Sequence, residues 1–207
     1  YIRSKAECAR VLRGGVAVPL TVVYPTLVVG GGERGIPLSH FTGLLQQIAR
    51  RQPILRFVQA SGSFHAIHAA DIARIVAQLV EERPGVGVRE LVLGGAAVSV
   101  NEAIDALCAA LDVRRIRLVQ LSPRLVQMCI RLFDIQLADW DRFCLDRAHF
   151  THRQPTMPAD VGGQSGYPTF ASLLAFALPA AGRNSAAVGV PRLIADGRHS
   201  DSRHSRS

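Results

Sequence analysis

Lysine is almost absent from this chain. Lys5 is the only lysine among 24 basic residues of the Lys/Arg type, so the other 23 are arginine. A skew spread over the whole length reads as codon bias, and it weakens a nucleic-acid reading of the formal net charge of +8. Long apolar runs are lacking too. No stretch of about 18 uncharged apolar residues occurs, so no transmembrane helix is expected. The longest apolar run near the end, 170–181, is broken by Pro179. Cysteine is scarce, and Cys8, Cys108, Cys129 and Cys144 show no metal or redox spacing. Three of them lie in apolar helical patterns, which predicts reduced core thiols and a cytoplasmic setting. No internal repeat is present. No methionine, cap, signal or transit segment precedes Tyr1, and no glycine-rich strand–turn–helix opens the chain. The expectation is a piece of a longer protein that starts inside a helix.

What is there belongs to a folded domain. Hydrophobic residues make up 48% and charged residues 19% of 207, a balance that excludes a disordered chain. Residues 2–13 read as a helix ended by Gly14 and Gly15. Residues 19–24 read as a buried strand that continues past Pro25 to Val29, where Gly30, Gly31 and Gly32 break it. An amphipathic helix is expected over 38–51, with Leu38, Phe41, Leu44, Leu45 and Ile48 on one side. Short strands are expected at 54–58 and 64–68, and a helix over 71–82, closed by Pro84 and Gly85. A strand comes next at 90–93. Ser99 and Glu102 form a capping signature for the next helix. Residues 116–119 read as a strand, 123–133 as a helix, 149–167 as an irregular surface and 170–178 as a last helix. Met128, Trp140 and Phe143 read as core packing. Strands alternating with helices imply an α/β fold with a parallel sheet.

One motif carries chemistry. Tyr1-Ile-Arg-Ser-Lys5 places a phenol and an ammonium on one helix face, four residues apart. A phenol with a pKa near 10 is a poor base at neutral pH. A neighbouring ammonium favours the phenolate and lowers that pKa. The tyrosine then exchanges a proton with a carbinol while hydride moves to or from a nicotinamide. By itself the pattern is common by chance. It gains weight from using the single lysine and from three segments downstream of it.

The run Tyr24-Pro-Thr-Leu-Val-Val-Gly30 resembles "Arg-Pro-x-x-Val-Tyr-Gly" of the extended short-chain dehydrogenase/reductase family, the epimerase/dehydratase branch. Ala66-Ile-His68-Ala-Ala-Asp71-Ile-Ala73 resembles that family's "Phe-Ile-His-Val-x-Asp-x-Ala". Leu91-Val-Leu-Gly-Gly95 with Val98-Ser-Val-Asn-Glu102 resembles its entry to a late helix. Four matches in order cover about residues 1–110, while 111–180 match only loosely. The resemblance implies the C-terminal part of a Rossmann-like doubly wound sheet, without the first half of that sheet. It implies NAD or NADP as cofactor. Tyr1 would be the general acid/base, and Lys5 its electrostatic partner and a ligand of the cofactor ribose. Pro25, Thr26, Leu27 and Val28 would pass beside the nicotinamide. His68 and Asp71 would support the segment that returns to the sheet, with Asp71 also placed to cap its helix. The substrate would be a small carbinol or ketone, with a nucleotide sugar as one candidate. The family's catalytic serine or threonine and its cofactor glycine loop would lie upstream.

Three positions depart from the family pattern. Tyr24 replaces an arginine and Val29 replaces a tyrosine. Phe64 replaces an arginine that often binds a sugar-nucleotide phosphate, which argues against a nucleotide sugar here. The implied organisation is a cofactor-binding portion over 1–110, a substrate-binding helical part over 111–182 and a disordered basic tail over 183–207. A homodimer is compatible with the family, and no membrane partner is expected. The alternative is a non-catalytic NAD(P)-binding or interaction protein of the same fold. An arginine-rich nucleic-acid binder is a weaker third reading.

Two further signals carry less. Gly30-Gly-Gly32-Glu-Arg-Gly35 satisfies Gly-x-Gly-x-x-Gly, but no acidic residue stands about 20 positions on, as a dinucleotide fingerprint requires. His65, His68, His149 and His152 could supply metal nitrogens, but strand positions three apart face opposite sides, and no metal is expected.

Overall fold

The computed structural model describes residues 2–15, 18–33, 35–50, 52–82, 85–122 and 148–178. Helix α1 spans Ile2–Gly15 and leads into β1, Leu20–Pro25. A short strand, β2, lies at Leu27–Val29, then α2 at His40–Arg50 and a single helical turn, α3, at Gln52–Leu55. Strands β3 (Val58–Ala60), β4 (Ser63–Phe64) and β5 (Ala66–His68) lead into α4, Ala69–Glu81. Next come β6 (Val88–Leu93), β7 (Val98–Ser99), α5 (Val100–Ala110) and β8 (Val119–Leu121). The last elements are β9 (His149–Phe150), a 3-10 turn at Pro158–Val161 and α6, Phe170–Ala177.

Parallel pairing dominates. β1 lies against β6 with Leu20 opposite Val88 and Pro25 opposite Leu93. β2 lies against β5 with Leu27, Val28 and Val29 opposite Ala66, Ile67 and His68. β3 pairs with β8 in parallel, and β4 sits between antiparallel β7 and parallel β9. Parallel strands need long crossovers, and α4 lies in the one between β1 and β6.

The two-residue period of a strand divides the core at β5. Ala66 faces a cluster of Val29, Phe41, Leu45, Leu107, Leu173, Leu174 and Ala177, built from β2, α2, α5 and α6. Ile67 faces the other way, toward Ile75 and Leu93, with Val23, Ile72, Leu79 and Leu91 packed around them. There the apolar stripe of α4 lies on the β1–β6 pair. Ile75 and Leu93 are both fully buried, each stabilising the fold by about 1.5–3 kcal/mol through removal from water.

Several expectations need correction. The apolar run expected as a strand over 54–58 begins as α3. Pro53 suits a first helical turn, and a short apolar run does not by itself separate strand from helix. The strand expected at 116–119 starts only at Val119, because Arg117 adopts a positive φ of 54° that a strand does not accept. The run 64–68 is two strands in two sheets, divided at His65. Helix α1 takes in Gly14 and ends at Gly15, as the two glycines led one to expect. Cys8 is exposed on α1 and not a core thiol, whereas Cys108 is buried in α5. The expected helix 123–133, the packing of Met128, Trp140 and Phe143, and the tail 183–207 lie outside the described residues.

Candidate active site

In open α/β sheets ligands bind outside the carboxyl ends of the strands. At that end of β1, Pro25 stands opposite Leu93, and the chain then changes sheets at Thr26. Both the N–H and the Oγ1 of Thr26 donate to the Leu93 carbonyl, at 2.9 Å each. That fork ties the crossing segment to the end of β6. Leu27 and Val28 then pair with β5, Leu27 being exposed and Val28 half-buried. The β2–β5 register sets Leu27 and Val28 opposite Ala66 and Ile67, so His68 stands opposite Val29, and Asp71 lies beyond the strand in the first turn of α4. Lys5 lies on the exposed part of α1. That helix is anchored further on by Arg13, whose guanidinium donates to the Tyr24 hydroxyl at 2.5 Å and pairs with Glu90. Tyr1 lies outside the described residues.

Two buried histidines flank β5, His65 just before it and His68 at its end, where α4 begins. His65 is 3% exposed; its Nδ1–H donates to the Gly95 carbonyl at 2.8 Å, and its Nε2 accepts the His152 N–H at 3.0 Å. Both ring nitrogens are thus used by backbone, and His65 ties three chain segments together. Among the described residues no group of three or more His, Cys, Asp or Glu side chains is placed to hold a metal ion.

His68 caps α4. Its Nδ1 accepts the Ala70 N–H at 3.1 Å, its ring stacks on Tyr167 with centroids 3.7 Å apart, and the Phe176 edge meets it at 4.4 Å. Burial is the largest influence on this imidazole and pushes its pKa below the usual histidine value. Arg74 acts in the same direction, while Asp71 and Glu33 oppose it. The cap requires the neutral ring, so burial and capping agree.

Asp71 is not the cap of α4, contrary to the sequence expectation. It sits in the first turn, 2% exposed, and holds a distant loop. Oδ2 accepts from the Ser165 hydroxyl at 2.6 Å. Oδ1 accepts from the Gly166 N–H at 3.0 Å and from Arg74 at 2.6 Å. Burial alone would raise this carboxyl's pKa. The hydrogen bonds from Ser165, Gly166 and Arg74 together outweigh it and hold the pKa below the ordinary carboxylate value. The latch places Tyr167 on the His68 ring. Ser165, Gly166 and Tyr167 went unnoticed in the sequence, where 149–167 read as irregular surface. Their only signal is a glycine-rich polar run ending in Tyr-Pro.

The glycine run after β2 is not a phosphate cradle. The Gly30 N–H donates to Thr42 Oγ1 at 2.9 Å and the Gly32 N–H to the Ile36 carbonyl at 2.8 Å, so these donors face inward. Gly31 has φ +84°, and a Cβ there would lie 2.1 Å from the Pro37 carbonyl oxygen. The loop is a closed turn, fastened by Ser39 Oγ to the Val28 carbonyl at 2.6 Å. Phe64, at the position where the resemblance leads one to look for an arginine, packs edge-on between Phe41 and Phe170, with centroids 5.9 and 5.7 Å away.

A cleft of about 400 Å³ opens beside the Asp71 latch, lined by Ala66, Ile67, Gly94, Gly95 and residues of the 157–168 segment. Pro25, Thr26, Leu27 and Val28 do not line it; Leu27 and Val28 sit one strand behind, paired with Ala66 and Ile67. Gly95 is required by close approach, since a Cβ there would lie 2.8 Å from the Ala66 carbonyl oxygen.

Parallel strand pairs with α4 in the crossover define the class: an α/β protein with a Rossmann-like arrangement. Particular solved structures share it. A nucleoside-diphosphate-sugar epimerase from Pseudomonas aeruginosa is similar over 84% of this chain and 51% of its own, with 15% identity and a TM-score of 0.56. UDP-glucose 4-epimerase from Bifidobacterium longum, solved with NAD+ and UDP, is similar over 85% of this chain and 51% of its own, with 15% identity and a TM-score of 0.51. The chain spans about half the length of these structures. Identity this low speaks to fold and not to chemistry. No family model and no curated protein matches the chain by sequence. Among the described residues no helix is long and apolar enough to cross a membrane.

Proposed function

We propose that this chain is the C-terminal portion of an NAD(P)-dependent oxidoreductase of the epimerase/dehydratase type, acting on a carbinol or ketone. In this reading Tyr1 is the general acid/base. Lys5 stabilises its phenolate and holds the ribose of NAD or NADP. Pro25, Thr26, Leu27 and Val28 lie along the nicotinamide, and His68 and Asp71 hold the return segment in place. The cofactor would supply or accept the hydride; the chain's own part is to move the proton at the Tyr1 hydroxyl. The division near residue 110, a homodimeric state and a cytoplasmic location belong to the same proposal.

The observation that carries this reading is the handover from the Lys5 helix into a parallel strand whose carboxyl end is Pro25. Arg13, two residues before the end of that helix, reaches the Tyr24 hydroxyl and Glu90 and so ties the helix to the β1–β6 pair. The fold shared with two nucleotide-sugar epimerases supports the same arrangement.

The test uses the complete protein. Tyr1→Phe is expected to lower kcat by roughly 10²–10⁴ while leaving cofactor binding intact. An unchanged rate removes Tyr1 from the mechanism. Cofactor binding without any hydride transfer in the unmodified protein favours the non-catalytic alternative. In this reading the glycine loop that binds the cofactor lies outside the 207 residues, so the chain alone is expected to be inactive.

A further inference from the structure

The cleft beside the Asp71 latch has a chemistry of its own. Its volume of about 400 Å³ lies within the usual range for small-molecule sites. Its walls are mostly apolar, with Ala66, Ile67, Met157, Pro158 and Tyr167 joined by the Gly94 and Gly95 backbone. Asp71 is the one acidic or basic side chain lining it among the described residues. Lysine and arginine are missing from that lining, and the carboxylate is ionised at neutral pH because three donors hold its pKa down. No lysine or arginine lines the cleft and Arg74 is already committed to Asp71, so a phosphate placed there would find no cation on the wall to pair with.

The hydrogen-bond inventory says what is accepted instead. A carboxylate offers about four acceptor positions. Oδ1 takes two donors, Gly166 and Arg74, whereas Oδ2 takes only the Ser165 hydroxyl. Among the described residues no second donor reaches Oδ2, which leaves one acceptor position there. The Ser165 Oγ is itself occupied, donating to Asp71 and accepting the Tyr167 N–H at 3.0 Å. Arg74 already offsets the charge of Asp71 at 2.6 Å, so a neutral donor suits the site better than a second cation.

We infer that this cleft binds a small, phosphate-free, largely apolar alcohol, whose hydroxyl donates to Asp71 Oδ2. The inference rests on the cleft alone and stands or falls independently of the cofactor reading.

Cyclohexanol is the probe, and cyclohexanone is its partner of equal size that accepts but does not donate. Both are titrated into the nitrogen-15-labelled chain, following backbone amides by NMR. Cyclohexanol is expected to shift Gly94, Gly95 and Ser165 saturably, with a Kd on the order of millimolar. Cyclohexanone should bind about 10-fold more weakly, the usual worth of a hydrogen bond to a charged group. UDP should leave these amides unmoved. Asp71→Asn should weaken cyclohexanol about 10-fold. Ala159→Phe fills the mouth without touching the latch and should abolish binding, which keeps the test decisive if the Asp71 variant does not fold. Equal binding of alcohol and ketone overturns the donor assignment. Shifts by UDP at the same amides, or no saturable shift with cyclohexanol, overturns the site.

Discussion

Replacing Asp71 separates two accounts of the same residue. As a helix cap it would contribute about 1 kcal/mol, within a range of about 0.5–2, and serine would substitute well. As a latch it accepts three hydrogen bonds while 2% exposed. Its loss leaves the Ser165 hydroxyl and the Gly166 N–H without their acceptor. Hydrogen bonds to charged groups contribute about 1.5–3 kcal/mol each. The Arg74 side chain is 49% exposed and can turn to water, so its share is small. Asp71→Ala should therefore cost about 3–5 kcal/mol, a large part of the roughly 5–15 kcal/mol that holds a domain together. Asp71→Ser should cost nearly as much, because a serine hydroxyl reaches neither Ser165 nor Gly166 from the first turn. Urea unfolding followed by circular dichroism measures both, with a lowered midpoint at constant slope as the signature. A double-mutant cycle with Ser165→Ala should show coupling of about 0.5–3 kcal/mol. A serine variant as stable as the parent, or no coupling to Ser165, would refute the latch and restore the cap.

Acid should destabilise the fold in two stages. The folded pKa of His68 is lowered, so its stabilising effect is complete above the unfolded value near 6.5 and declines as pH falls below it. Asp71 also has a lowered folded pKa, and its contribution is lost later, as pH falls below the unfolded carboxylate value. Urea midpoints should thus drop between pH 7 and 5, and His68→Asn should flatten that slope; an equal slope in the variant contradicts the buried neutral ring. At the glycine turn, Gly31→Ala should cost roughly 1–3 kcal/mol or more, since a positive φ is combined with a Cβ 2.1 Å from a carbonyl oxygen. Gly35→Ala, at φ +78° but in open space, should cost less, and thermal melts that reverse this order would rule out the closed turn. Ser99→Ala should cost about 1 kcal/mol, because the Ser99 Oγ and the Glu102 carboxylate satisfy each other's backbone N–H at the head of α5; a melting temperature unchanged from the parent would show that the box contributes nothing.

The sequence by itself determined what depends on neighbours along the chain. The capping box at Ser99 and Glu102 is a local exchange of hydrogen bonds, and it is present in the fold. The strand through Pro25 and the amphipathic face of α2, with Phe41 and Leu45 inward, arise from the spacing of apolar residues, although the strand expected to run on to Val29 changes sheets at Thr26. The α/β class with parallel pairing comes from the alternation of elements. Tertiary structure alone decided the partners. Nothing local says that Thr26 will meet the Leu93 carbonyl, 67 positions on, or that Asp71 will accept from Ser165, 94 positions on. The same holds for His65, whose ring nitrogens are taken by Gly95 and His152, and for Phe64, closed between two other rings. Asp71 shows the boundary most plainly. Its place one turn into a helix invites a local role, but a buried carboxylate takes the donors that packing brings to it. Propensity acts over a few residues, whereas burial and charge compensation act across the whole fold, and the site is made of the latter.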